Sequence, residues 1–202
     1  MIINLGLPKS GTTTLDQALQ SAGLKVADHK MRREDAAAPD LAGRPIARLL
    51  YDGYFQTGDP LTHLGQYDAL GEISILRPNL SLWPQMDWGL LSAIRAHHPD
   101  TLFVATRRPA AAISDSMMRW RNLGTQRIPN GVIPGLPASY GATPDEQMRW
   151  IEGHYAFLSR VFERDPQFLM LDVGVEDARD RLAAFSGLTI PWWGRANVNP
   201  TS

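Results

Sequence analysis

Short apolar runs alternate along the chain with stretches in which apolar residues recur every three or four positions. Residues 2–5 (IINL) are mostly apolar and run into a turn containing glycine and proline, which predicts a strand. Residues 13–22 then place Leu15, Leu19 and Ala22 on one helical face. A second short strand is expected at 24–27. Residues 102–105 (LFVA) are apolar without alternation, the pattern of a strand buried on both faces of a parallel sheet. Beyond it Pro109 stands where the first turn of a helix tolerates proline, and Ile113, Met117 and Trp120 follow at steps of four and three. The strongest helix start is Thr143-Pro144-Asp145-Glu146: a capping threonine, a proline at the first helical position, and a glutamate three residues after the cap. Met148, Ile151, Tyr155, Leu158 and Phe162 carry that helix on, and Arg164-Asp165-Pro166 is expected to end it. FLML at 168–171 predicts a last strand and residues 176–185 a last helix.

Strands separated by helices imply an α/β fold with a mostly parallel sheet flanked by helices. A chain of 202 residues buries one sizeable core, so a single domain over 1–202 is expected. Residues 123–142 are rich in glycine and proline and too long for a mere connection, which suggests a substrate loop or lid. The tail from 191 onward is also loop-like.

Charge changes the picture by what it excludes. Lys and Arg number 20 against 21 Asp and Glu, for a formal net charge of -1. No global basic field exists to hold nucleic acid or an anionic membrane, so an anion site has to be built locally. There is no cysteine, which excludes disulfides, thiolate metal sites and cysteine nucleophiles. No apolar run reaches the roughly 18–20 residues of a membrane span, and the N-terminus has neither the basic nor the long apolar region of a secretion signal. A cytoplasmic location is expected.

Residues 6–14 read Gly6-Leu7-Pro8-Lys9-Ser10-Gly11-Thr12-Thr13-Thr14, between an expected strand and an expected helix. In that setting the backbone amides of the turn and the helix start converge on an anion. Gly11 lets the backbone approach it, Lys9 adds a full positive charge, and the hydroxyls add donors. The lysine is displaced from the ordinary phosphate-loop pattern: it precedes the second glycine, and Thr12 stands where a lysine would follow. That argues against a kinase or nucleotide hydrolase of the ordinary kind.

PKSGTTTL resembles the 5′-phosphosulfate loop of sulfotransferases that use 3′-phosphoadenosine 5′-phosphosulfate (PAPS), and the small bacterial type in particular. The resemblance implies a P-loop NTPase-like α/β fold, PAPS as co-substrate and no metal. It implies that Lys9 contacts the 5′-phosphosulfate near the bridging oxygen, and that Ser10, Gly11, Thr12, Thr13 and Thr14 wrap the phosphate.

A second anion site is expected after the 102–105 strand, at Thr106-Arg107-Arg108-Pro109. From Arg107 to Arg127 there are five arginines and one acid, a local asymmetry in a nearly neutral chain; a solvated arginine face is the alternative reading. In the resembled family the 3′-phosphate is held by an arginine just after a strand and a serine eight residues on. Eight residues from Arg107 is Asp115 and eight from Arg108 is Ser116. The proline context favours Arg107 and the serine spacing favours Arg108, so Arg107 with Ser116 is the first choice, and Arg108 and Ser114 are the alternates. The segments KVADHK, YDALGE, HHPDTLFVATRRP, LMLDV and RANVNP follow the same family order, with falling specificity. The C-terminal Arg-Lys-Gly loop that many cytosolic members use is absent, leaving Arg195 as the candidate there.

Sulfuryl transfer needs a base near the acceptor hydroxyl or amine. His29, just past the second strand, ranks first; Glu72, past the short strand that the resemblance implies within YDALGE, ranks second, because it can serve only if burial raises its pKa. His154, on the long helix, ranks third. Trp83, Trp88, Trp192 and Trp193 are candidates for stacking an adenine or lining an acceptor pocket, or are core packing. The expected activity is transfer of a sulfuryl group from PAPS to a small-molecule acceptor. The alternatives are a catalytically idle nucleotide-binding or interaction domain and, further off, a kinase.

Overall fold

A computed structural model describes residues 1–194. Strand β1 (Ile2–Asn4) lies in the middle of a five-stranded sheet with β2 (Val26–Ala27), β3 (Ala69–Leu70), β6 (Leu102–Arg107) and β7 (Phe168–Asp172). The order across the sheet is β2-β3-β1-β6-β7 and every pairing is parallel. A separate antiparallel hairpin joins β4 (Ile75–Arg77) to β5 (Leu80–Leu82).

Residues alternate across the sheet and divide the core into two layers. Ile3, Leu70, Phe103 and Ala105 face α2 (Ile46–Thr57), α3 (Trp88–His97), α4 (Ala110–Arg119) and α5 (Pro144–Val161). Ile2, Ala69, Val104 and Leu171 face α1 (Thr12–Ser21) and α6 (Ala178–Ser186). Both faces are covered, so LFVA needs no polar alternation. The expected α/β class with a mainly parallel sheet flanked by helices is the architecture observed.

The expected elements shift by one or two residues at their ends. α5 starts with the expected box: the Thr143 hydroxyl accepts from the Glu146 amide at 3.3 Å, and the Glu146 carboxylate accepts from the Thr143 amide at 3.1 Å. It ends at Val161, three residues before Arg164. α2 and the β4–β5 hairpin are not among the elements expected from the pattern. α2 follows Pro45 with no side-chain cap, and strands of three residues are too short to display a period.

The segment 123–142 is pinned down. Leu123–Arg127 forms a single π-helical turn, and Leu123, Ile128, Ile133 and Leu136 are buried in the core. Those apolar side chains anchor the segment, and Leu123 and Arg127 place its first turn on the cleft.

Among the described residues, no helix is long and apolar enough to cross a membrane.

The topology also places a functional edge. The helix after β1 lies on one face of the sheet and the helices after β6 lie on the other. β1 and β6 are neighbours, so the chain reverses its winding between them. In open parallel sheets ligands collect at such a point, beyond the carboxyl ends of the strands.

Candidate functional site

A cleft of about 920 Å³ lies at that point. Its floor is the turn from β1 to α1. Asn4, fully buried, organises the turn: its Oδ1 accepts from the Gly6 amide at 2.9 Å and from the Thr106 amide and hydroxyl, both at 3.2 Å. Thr106 spends its proton on Asn4, so the Ser10 hydroxyl, 2.7 Å away, donates to Thr106. Gly6 permits this approach: a Cβ there would stand 2.6 Å from the Thr106 carbonyl oxygen. Gly11 has φ 111° and a Cβ there would meet Val173 Cγ2 at 2.6 Å, so only glycine fits where the turn passes under the end of β7.

The turn presents Pro8, Lys9, Gly11, Thr12, Thr13 and Thr14 to the cleft. Ser10 is not part of that lining; it is fully buried and tied to β6. Thr14 also donates to the Gly194 carbonyl at 3.1 Å, which brings the C-terminal segment to the rim. Arg195 lies outside the described residues. α1 opens directly at the cleft, and its dipole favours an anion there.

Lys9 adopts a left-handed backbone, φ 71°, and sets its ammonium 3.3 Å from the centre of the Trp120 ring. Burial lowers the lysine pKa from its ordinary value; Glu72 pulls it up and Arg108 pulls it down. Trp120 was expected on the apolar face of its helix. It follows the last residue of α4 instead, is 41% exposed, and forms a wall of the cleft.

Both registers of the arginine–serine pair can be placed. Arg108 and Ser116 line the cleft, and Arg108 Nη1 reaches the Lys9 carbonyl at 3.4 Å. Arg107 and Ser114 do not line it. Arg107 is exposed, 5.8 Å from the Tyr155 ring, with Nη1 3.3 Å from Met170 Sδ. Ser114 is buried and donates to Gln147 Oε1 at 3.0 Å. Of the first-choice pair, Ser116 lines the cleft and Arg107 does not; of the alternates, Arg108 lines it and Ser114 does not.

The candidate bases separate by strand order. β2 is the edge strand, two positions from β1, and His29 follows it. It is exposed, is 3.0 Å from Asp28 through Nδ1, and does not line the cleft. β3 adjoins β1, and Glu72 beyond it does line the cleft. Burial raises its carboxyl pKa to about 7; His29, Lys9 and Arg127 pull it down and Asp28 pushes it up. Glu72 therefore displaces His29 as the first candidate. His154 is buried on α5 and lines a different cavity.

Further residues line or border the cleft, and two of them, Arg119 and Arg127, belong to the arginine-rich stretch 107–127. Arg119 and Arg127 line the cleft, with Ser74, Leu76 and Leu123. Arg119 is paired with Asp115 at 2.5 Å. Arg127 Nη1 donates to the Leu76 carbonyl at 3.0 Å. Asp16, on α1, packs against Gly71, and burial together with Asp28 and Glu72 raises its pKa to about 8. Of the four tryptophans considered for stacking, Trp83 and Trp193 line the cleft, as Trp120 does; Trp88 is exposed on α3, and Trp192 packs beside α1 and α6. Among the described residues, no group of three or more His, Asp or Glu could hold a metal ion.

The donor set is thus a lysine-bearing turn, a helix start and an arginine–serine pair on one side, with a carboxyl of raised pKa and an apolar wall on the other. Compared with models of known protein families and with curated proteins, the chain matches none.

Proposed function

We propose that the protein is a P-loop-type sulfotransferase that takes a sulfuryl group from PAPS and passes it to a hydroxyl or amine of a small molecule. One observation carries this reading: a single cleft joins Lys9 and the Gly11–Thr14 helix start to Arg108 and Ser116, with Glu72 beside them. Two separate cation sites suit a nucleotide with an anion at each end of its ribose. The tight cradle at Gly11 suits the close approach of a phosphate to the backbone.

PAPS supplies the activated sulfuryl group. Lys9 and the start of α1 hold the 5′-phosphosulfate, and Arg108 and Ser116 hold the 3′-phosphate. Arginine suits the second task because its planar fork matches phosphate oxygens. Glu72 takes the proton of the acceptor as that oxygen or nitrogen bonds to sulfur. The bond from sulfur to the bridging oxygen breaks, and Lys9 offsets the charge that collects there. The products are a sulfated acceptor and adenosine 3′,5′-bisphosphate. Leu76, Trp83 and Leu123 give the acceptor an apolar bed next to Glu72.

Titration calorimetry with adenosine 3′,5′-bisphosphate against ATP and magnesium tests the reading. The bisphosphate is expected to bind more tightly, with no loss on adding EDTA. Tighter, magnesium-dependent ATP binding would move the protein to the kinases.

A further inference from the structure

Lys9 is the one charged residue of the 6–14 turn, and its ammonium is in no ion pair among the described residues. Glu72 acts on it from beyond ion-pairing distance. Of the other charged residues lining the cleft, Arg108 is held on the Lys9 carbonyl at 3.4 Å, Arg119 on Asp115 and Arg127 on the Leu76 carbonyl at 3.0 Å, and Glu176 is exposed. The ammonium meets the face of Trp120 instead, 3.3 Å from the ring centre, while Arg121 stands 6.0 Å from the same ring.

Core packing does not explain where the Trp120 ring sits, because it belongs to neither layer of the core. Its backbone is tied at both ends: the Trp120 amide donates to the Met117 carbonyl at 3.3 Å, and the Trp120 carbonyl accepts from the Leu123 amide at 2.9 Å. The next residue, Arg121, has φ 49°, and Lys9 itself has φ 71°. Side chains with a Cβ rarely adopt this left-handed backbone, and such residues gather where a site is held in one geometry. Both partners of the contact thus stand at or beside strained backbone. A carboxylate in place of the ring would also hold the lysine, but it would neutralise the charge. An aromatic face attracts an ammonium through its quadrupole and brings no net charge of its own.

We propose that Trp120 is the positioning residue for Lys9: its indole face fixes the ammonium, still charged, at the turn where the anion binds. The identity of that anion, the sulfuryl donor, rests on the sulfotransferase reading. A lysine side chain is a flexible four-carbon stem, and a charge stabilises a transition state best when it is fixed beforehand. Trp120 touches the ammonium and acts on the reaction through it.

The test has two arms on the full chain. The sequence holds three lysines, at 9, 25 and 30, so a ¹³C-lysine spectrum of the nucleotide-free protein is sparse. The Lys9 ε-CH₂ signal is expected well upfield of the other two, since Lys25 lies 5.6 Å from its own ring, Tyr67. Trp120→Leu is expected to return it to the ordinary position, and Trp120→Phe to leave part of the shift. The second arm measures release of adenosine 3′,5′-bisphosphate from PAPS with 2-naphthol, which counts transfer to the phenol and to water alike. At saturating PAPS, Trp120→Leu is expected to lower turnover about five- to thirtyfold, the worth of one desolvated cation–π contact, and Trp120→Phe to lower it less. In a Lys9→Ala background, Trp120→Leu is expected to cost nothing more. A Lys9 signal at its ordinary position in an active protein would overturn the positioning alone. An unchanged rate in Trp120→Leu would overturn it too, and so would an equal loss in the Lys9→Ala background, which would mean that the ring serves the acceptor directly. A shifted Lys9 signal with no release of bisphosphate would overturn the sulfotransferase reading, and the pair's role in turnover with it.

Discussion

Glu72→Gln should make the protein both slower and, at alkaline pH, more stable. The carboxyl has an ordinary pKa of 4.5 and is raised to about 7 in the fold, chiefly by burial. The folded state therefore binds this proton more tightly than the unfolded chain does. The contribution to stability is fully present below pH 4.5 and is lost as pH rises through 7. Converted at 1.36 kcal/mol per pKa unit, the ionised carboxylate costs the fold up to about 3 kcal/mol at pH 8 and above. Glutamine keeps the shape and has no such term. The stability of the variant relative to the wild type should thus climb by up to about 3 kcal/mol between pH 4 and pH 8.5. In a chain of this size each kcal/mol moves the melting temperature by roughly 2–4 °C, so thermal melts across that range resolve it.

The same carboxyl, acting as base, must be ionised to accept a proton. Wild-type turnover should rise about tenfold per pH unit below pH 7 and flatten above it. Glu72→Gln should remove that limb and lower turnover by about 10²–10⁴, the usual worth of a positioned base. Release of adenosine 3′,5′-bisphosphate from PAPS with a hydroxyl acceptor measures the rate, and calorimetry should find bisphosphate affinity within a few-fold of wild type. A variant with normal turnover and an intact acidic limb would remove Glu72 from the chemistry. A stability gap that stays flat with pH would refute the burial argument itself.

Three further outcomes are expected. Lys9→Ala should lower turnover at saturating PAPS by about 10²–10³, as loss of a charge-stabilising donor does, and an effect on affinity alone would cancel its assigned role. Arg108→Ala should weaken bisphosphate binding by about 1.5–3 kcal/mol in calorimetry, while Arg107→Ala should change it by no more than about 0.5 kcal/mol. Asp16→Asn should raise the melting temperature at pH 9 and leave it nearly unchanged at pH 3, because burial and its acidic neighbours lift that carboxyl to about 8 and its stabilising proton is lost as pH rises past that value. The acidic limb of turnover should stay where it is in Asp16→Asn, since Glu72 ionises first.

What was legible in the sequence followed the length and regularity of its signals. LFVA announced a doubly buried strand, and Thr143–Glu146 announced the start of α5 because its cap is a local exchange of side chain and backbone. The Gly6–Thr14 turn was legible because its two glycines answer close approaches: Gly6 to Thr106 and Gly11 to Val173. Strand order across the sheet had no such local signal. Nothing near His29 says that β2 lies at the edge, and nothing near Glu72 says that β3 lies beside β1. The ranking of the two bases depended on that order, and so did the environment that raises the Glu72 pKa. Trp120 was misplaced for a related reason. Its spacing from Ile113 and Met117 is helical, but α4 ends at Arg119, and the side chain turns back under Lys9.

The choice between the two arginines turns on where a strand stops, which neither the proline context nor the serine spacing fixes. A strand taken to end at Ala105 leaves Arg107 and Arg108 both in a loop, free to point anywhere. β6 in fact continues to Arg107, which pairs in register with Asp172 of β7. Alternation then governs: Phe103 and Ala105 face α5 and its neighbours, so Arg107 is carried to the same side, beside Tyr155 and Met170. Arg108 is the first residue released from the sheet, and it turns over the Lys9 carbonyl toward the cleft. Ser116, eight residues on, sits two helical turns into α4 on the side that faces the same space. One extra pair of strand residues thus decides which of two adjacent, chemically identical side chains can meet a ligand. That is why the Arg107→Ala and Arg108→Ala pair tests the fold and the site together: equal losses of affinity would mean that the β6 register described here is not the one that holds in solution.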